Sequence, residues 1–149
     1  MSTREVIIPK GMKILYEKFQ YCPGIKVGNT LYISGQVGRD ENLQIVKGVE
    51  AQFVQAFENV KKVLDAAGAT FDDVVEMISY HVVNVGEAQN ASAAAGTPEN
   101  LAIPYLPLFR EVKARYFTNQ FPTWTAVGVA ALSRPELIIE IKCVAVISQ

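Results

Sequence analysis

Glu140 and Lys142 stand two residues apart near the end of the chain, in LIIEIKCVAVIS. Successive side chains of a strand point to opposite faces, so both charges share a face with Ile138, Val144 and Val146. The opposite face carries Leu137, Ile139, Ile141, Cys143, Ala145 and Ile147. It is unbroken and apolar, fit to lie under helices. A face that met only water would be polar throughout, and a closed core would exclude charge. The two charges therefore fit a face partly covered by another subunit, with a polar pocket in the cover. The competing reading of Lys142 is an ion pair across that seam with Glu140 or another acid.

The remaining reactive residue types say less. His81 is the only histidine. A catalytic imidazole needs a positioned partner, and none is evident at a matching spacing, so His81 reads as locally bonded within a strand. Cys22 and Cys143, with that one histidine, form neither a metal spacing nor a disulfide framework. No metal site is expected from them. A reducing, cytoplasmic setting is the default.

The elements that must hold these residues follow from periodicity. Arg4 to Ile8 is a short strand stopped by Pro9, while Gly11 to Lys18 gives no clear pattern. Gln20 to Val27 and Thr30 to Ser34 read as a hairpin around Gly28-Asn29. At Ser34-Gly35-Gln36 the alternation breaks, which marks either a bulge or a strand exit. Residues Val37 to Lys47 form a loop. A helix spans Val49 to Ala67, with Phe53, Phe57, Val60 and Leu64 on one face and Gly68 at its end.

The strand Val74 to Val83 contains Tyr80 and His81. Residues 84–102, rich in Ala, Ser, Gly and Asn, read as a surface loop. A second helix runs from about Pro104 to Phe117, with Leu108, Val112 and Tyr116 on one face. Two long strands close the chain, joined by a short turn at Ser133-Arg134-Pro135. On the first, Trp124, Ala126, Gly128 and Ala130 share a face, which we expect on the uncovered side with Glu140 and Lys142. The order implies one α+β domain over residues 1–149, a mostly antiparallel sheet with two helices on one face. The other face calls for a partner, and oligomerisation fits its content.

Bulk properties exclude several classes. The 149 residues carry 14 basic and 15 acidic side chains, a formal charge of −1. That balance gives no general attraction for nucleic acid or an anionic membrane. No apolar run approaches the roughly 20 residues of a membrane span. Val6-Ile7-Ile8 is too short to serve as the core of a signal peptide.

Several runs together resemble one family. They are Gly28-Asn29-Thr30-Leu31-Tyr32-Ile33-Ser34-Gly35-Gln36, the helix end from Phe57-Glu58-Asn59-Val60 to Gly68-Ala69, the Asp73-Val74-Val75 step, and Phe121-Pro122 through Glu140. Nearly the whole chain resembles the reactive-intermediate deaminase (Rid, YjgF, or L-PSP endoribonuclease-like) family. The resemblance implies a chorismate-mutase-like α+β fold. It also implies a homotrimer whose sheets form a central barrel, with small-molecule pockets in the clefts between subunits.

The activity implied is hydrolysis of reactive enamines and imines to a keto acid and ammonia, without metal or organic cofactor. In such proteins a glutamate on the last strand positions the attacking water, aided by backbone near the SGQ turn. Tyr21, Ser34, Gly35 and Glu140 fall on the pocket positions. The family's carboxylate-clamping arginine is replaced by Trp124, and a frequent second-helix asparagine by Arg110. An indole has one donor and no charge, so it cannot stand in for a two-pronged guanidinium. Losing such a bond costs on the order of 2–5 kcal/mol of binding.

The resemblance thus implies imine or enamine hydrolysis, with the usual 2-imino acid activity in question and Arg110 or Lys142 as substitute cations. The alternative is a small-metabolite-binding trimer without chemistry. Ribonuclease activity is disfavoured by the missing basic patch.

Overall fold

The computed structural model describes residues 3–83 and 103–148. The loop expected over 84–102 lies outside the described residues. Strands β1 (Arg4–Ile7), β2 (Gly24–Val27), β3 (Thr30–Val37), β4 (Val74–Val82), β5 (Thr123–Val129) and β6 (Ile139–Val146) form one sheet. Helices α1 (Lys13–Glu17), α2 (Val49–Ala66) and α3 (Leu106–Tyr116), with a short 3-10 turn at Phe71–Asp73, complete the described elements. The fold is mixed α+β. The segment 11–18, which has no clear pattern in sequence, contains α1, whose Leu15 enters the core.

The sheet order is β1-β2-β3-β6-β4-β5. Every pairing is antiparallel except β4 with β5. The last two strands are therefore not neighbours, contrary to the simplest reading of the Ser133-Arg134-Pro135 turn. Strand β5 follows α3 as a crossover and so lies parallel to β4. Residues 130–138 then carry the chain across the end of β4, and β6 inserts between β4 and β3.

One sheet face lies under the helices. Ile139, Ile141, Cys143 and Ala145 are all at most 1% exposed, as their unbroken apolar pattern requires. They meet Phe53, Ala56, Phe57, Val60 and Leu64 of α2, the stripe read at helical spacing. On α3 the deepest side chains are Leu106, Phe109 and Val112, one position round from the expected Leu108 stripe. Phe109 stands at the centre, edge-on to Phe53 at 5.2 Å and tilted toward Phe57 at 5.5 Å.

The other face is open in the single chain. By register it carries Tyr32, Ile78, Tyr80, Thr125, Val127, Glu140, Lys142 and Val144. Trp124 is not among them. It pairs with Met77, whose side chain is buried, and packs on Phe109 at 5.8 Å. Trp124 thus belongs to the helix-covered side. The alternation expected of β5 is present, but its phase is the reverse of the expected one. Alternation alone does not say which face is inside when both carry small or apolar residues.

Candidate functional site

The break at Ser34-Gly35-Gln36 is a bulge: the register of β3 against β6 shifts between Ile33 and Gln36. The strand then resumes, with Val37 opposite Glu140. The bulge lays the backbone of Gly35 onto the Glu140 side chain. A Cβ built on Gly35 would stand 2.6 Å from both Cδ and Oε2 of that carboxylate. Only glycine lets the main chain approach so closely.

Ser34 organises the neighbouring segment. Its hydroxyl donates to the Cys22 carbonyl, and its backbone N–H donates to the Pro23 carbonyl at 2.9 Å. These bonds hold the residues just after Tyr21 against β3. Tyr21 packs against the core, and its hydroxyl accepts from Arg39 Nη2 at 3.5 Å. Tyr21, Ser34, Gly35 and Glu140 therefore gather at one corner of the β3–β6 pair.

Burial raises the pKa of Glu140 above the ordinary carboxylate value. A half-buried carboxylate with a raised pKa is a better proton acceptor than one free in water. Lys142 shares its face but is exposed, and makes no ion pair with Glu140 among the described residues.

Two of the sequence-chosen residues lie elsewhere in the single chain. Arg110 is exposed on α3, across the sheet from Glu140. The Trp124 indole N–H donates to Ser79 Oγ at 2.8 Å, and Ser79 Oγ is also 2.8 Å from His81 Nε2. His81 is thus locally bonded, as its isolation suggested. Burial lowers its pKa to about 4, which keeps the imidazole neutral near pH 7. Lys113 Nζ sits over the rings of Trp124 at 5.1 Å, Phe117 at 5.2 Å and Phe121 at 5.7 Å. Burial lowers its pKa as well. This second group gathers around Trp124 of β5, the strand at one end of the sheet. Cys143 has no part in either group: burial pushes its thiol up to about 12, so it carries no thiolate near neutrality.

Sequence reasoning missed Arg39, Gln52 and Asn59. Asn59 is buried on α2, and its amide donates to the carbonyls of Val37 at 2.8 Å and Arg39 at 2.7 Å. Gln52, one helical face up, donates to the Glu136 carbonyl at 2.7 Å and accepts from the Ile138 N–H at 3.0 Å. Gly38 lies so close that a Cβ there would stand 2.8 Å from the Gln52 Cα. Together they pin both walls of a groove of about 750 Å³, lined in part by Phe19, Arg39, Ile45, Arg134 and Ile138. The signal was present: amides at positions 52 and 59 sit seven apart on an otherwise apolar helical face, where a buried amide must find partners.

The chain and its fold have counterparts. Residues 14–99 match the family described as Endoribonuclease L-PSP. The chain belongs to this family, also known as Rid or YjgF. The RutC family protein YjgH of Escherichia coli (strain K12) is 32% identical over 133 residues, covering 89% of this chain and 88% of that protein. The human 2-iminobutanoate/2-iminopropanoate deaminase is 30% identical over 128 residues, covering 85% and 79%. The solved structure of protein YjgH superposes with a TM-score of 0.76 at 31% identity, over 98% of each chain. The architecture is accordingly that of the Rid family, the chorismate-mutase-like α+β fold that the resemblance implied.

Proposed function

We propose that this protein is a Rid-type hydrolase of imines or enamines, with its pocket in the seam between copies of the chain. The observation that carries the reading is the Glu140 carboxylate, half-buried, raised in pKa and seated on the Gly35 backbone. Glu140 holds a water molecule and takes its proton as the oxygen adds to the C=N carbon. The nitrogen gains that proton to give a carbinolamine; Glu140 then takes the hydroxyl proton and passes it to the nitrogen, the C–N bond breaks, and ammonia leaves as the C=O forms. Atoms balance with water as the only co-reactant. The deaminase name carried by the human relative supports the same chemistry.

An assembly is part of the proposal. Tyr21, Ser34, Gly35 and Glu140 lie at one corner, while Trp124 and Lys113 lie at the β5 edge on the other side of the sheet. Only a second copy could bring the two groups together. The open face, with Tyr32 half-exposed beside Val144 and Val146, is suited to burial in a homotrimer. In that assembly Trp124 would form an apolar wall.

The test is release of ammonia and keto compound from a panel of enzymatically generated imines, alongside a native mass measurement. Hydrolysis above the spontaneous rate by a trimer supports the proposal. A trimer that binds the products but never accelerates hydrolysis supports the binding-only alternative.

A further inference from the structure

The carboxylate clamp that Trp124 cannot supply has a candidate outside the positions where the family resemblance points. Arg39 is half-buried, lies two residues past the Val37–Glu140 pair, and touches the Tyr21 hydroxyl. We propose that Arg39 is the carboxylate-binding cation of this site, and that the groove beside it receives the remainder of an anionic substrate. The proposal rests on reading Tyr21, Ser34, Gly35 and Glu140 as the reaction site.

Four features of Arg39 fit the role. Its charge is uncommitted, since among the described residues no acid lies within 4.0 Å of it. Its main chain is fixed by Asn59 through the Arg39 carbonyl, and by the bridge from Arg39 to Ile45. Its side chain lines both a small cavity beside Gly35, Gln36 and Val37 and the large groove. Its position is fixed: the chain turns tightly at Gly38, where the Arg39 N–H donates to the Val37 carbonyl at 2.8 Å, which keeps Arg39 next to the Val37–Glu140 pair.

The surrounding charges favour an anion. Arg39, Lys47 and Arg134 line the groove against a single acid, Glu136, which is 3.9 Å from Arg134. Of the two acids lining the small cavity, Asp40 is occupied, accepting from the N–H groups of Asn42 and Gln44, and Glu41 stands beside Gly11. The groove, at about 750 Å³, lies within the ordinary range for small-molecule sites. By comparison, Lys142 is exposed on the open face, and Arg110 is exposed on α3 across the sheet. Among the described residues neither makes a hydrogen bond or ion pair with this corner.

The test is calorimetric binding of 2-oxobutanoate and its uncharged amide, 2-oxobutanamide, to the full-length protein at fixed salt. The wild type should prefer the carboxylate at least tenfold. Arg39→Gln should reduce that preference below twofold, and Arg39→Lys should fall between, since an ammonium keeps the charge but loses the two-pronged geometry. Glu140→Gln should keep the preference. A wild type that binds both probes equally overturns the proposal, as does an Arg39→Gln protein with a native melting profile and undiminished preference. Should Arg39→Gln fail to fold, Arg39→Lys and Tyr21→Phe decide, and undiminished preference in both overturns it. A wild type that shows the preference but no imine turnover removes the hydrolase reading and leaves this one standing.

Discussion

The Gly35 backbone lies directly on the Glu140 carboxyl group, with no room for a Cβ between them. The bulge in β3 creates this contact, and it fixes where the carboxylate can sit. Gly35→Ala should therefore push the Glu140 side chain away while leaving β3 and β6 paired. We expect a loss in kcat of about 10–100-fold, the scale on which misplacing a reacting group by about 1 Å acts. Steady-state kinetics on an imine, with circular dichroism to confirm the fold, checks this. An unchanged kcat in the Gly35→Ala variant would separate the contact from catalysis.

Burial raises the Glu140 pKa, so the folded protein holds that proton more tightly than the unfolded chain. The sign follows from linkage. The contribution of Glu140 to stability is greatest below the ordinary value of 4.5 and declines as pH rises through the raised value. Glu140→Gln removes the titration at nearly constant shape. Its stability relative to wild type should increase as pH rises from about 4. Urea melts across that range measure the difference, and a difference independent of pH would contradict the burial.

His81 titrates in the opposite sense. Burial lowers its pKa from 6.5 to about 4, so the fold resists protonating it. Stability is lost as pH falls from about 6.5 toward 4, by up to roughly 2–3 kcal/mol. His81→Gln can keep a bond to Ser79 without titrating. Thermal melts of both proteins between pH 7 and pH 4 should diverge. Parallel curves would show that the imidazole is free to charge in place.

The walls of the groove depend on two amides. Asn59→Ala would leave the Val37 and Arg39 carbonyls without their donor, at a cost of about 1–3 kcal/mol. The same change should weaken binding of any ligand held by Arg39, because the loop carrying it loses its anchor. Chemical denaturation gives the first quantity and calorimetry the second. Loss of stability without loss of affinity would mean that the loop holds its shape unaided.

Much of this architecture is readable from residue order. The α2 stripe Phe53, Phe57, Val60 and Leu64 and the apolar face of β6 each have one strong period, and both are buried where the period puts them. The face of Trp124 is not readable, because β5 has weak contrast: Thr125, Val127 and Val129 on one side, Trp124, Ala126 and Gly128 on the other. Tertiary contact with Phe109 and the bond to Ser79 decide its face, and neither is local. The β5–β6 connection misleads for a similar reason. A short polar turn does not reveal that another strand will lie between its arms. At the corner itself, Glu140 stands out as a charge on an apolar strand. Arg39, in a polar loop, has no contrast to reveal it until the loop is seen folded back on Tyr21.

The central claim is that the Glu140 carboxylate drives hydrolysis of a C=N bond. Its most direct test is the rate of ammonia release from an enzymatically generated imine by wild type and by Glu140→Gln, at equal protein concentration and matched oligomeric state. The account predicts a fall of at least ~100-fold in the variant, the scale of a lost general base. Equal rates in the two proteins would contradict it.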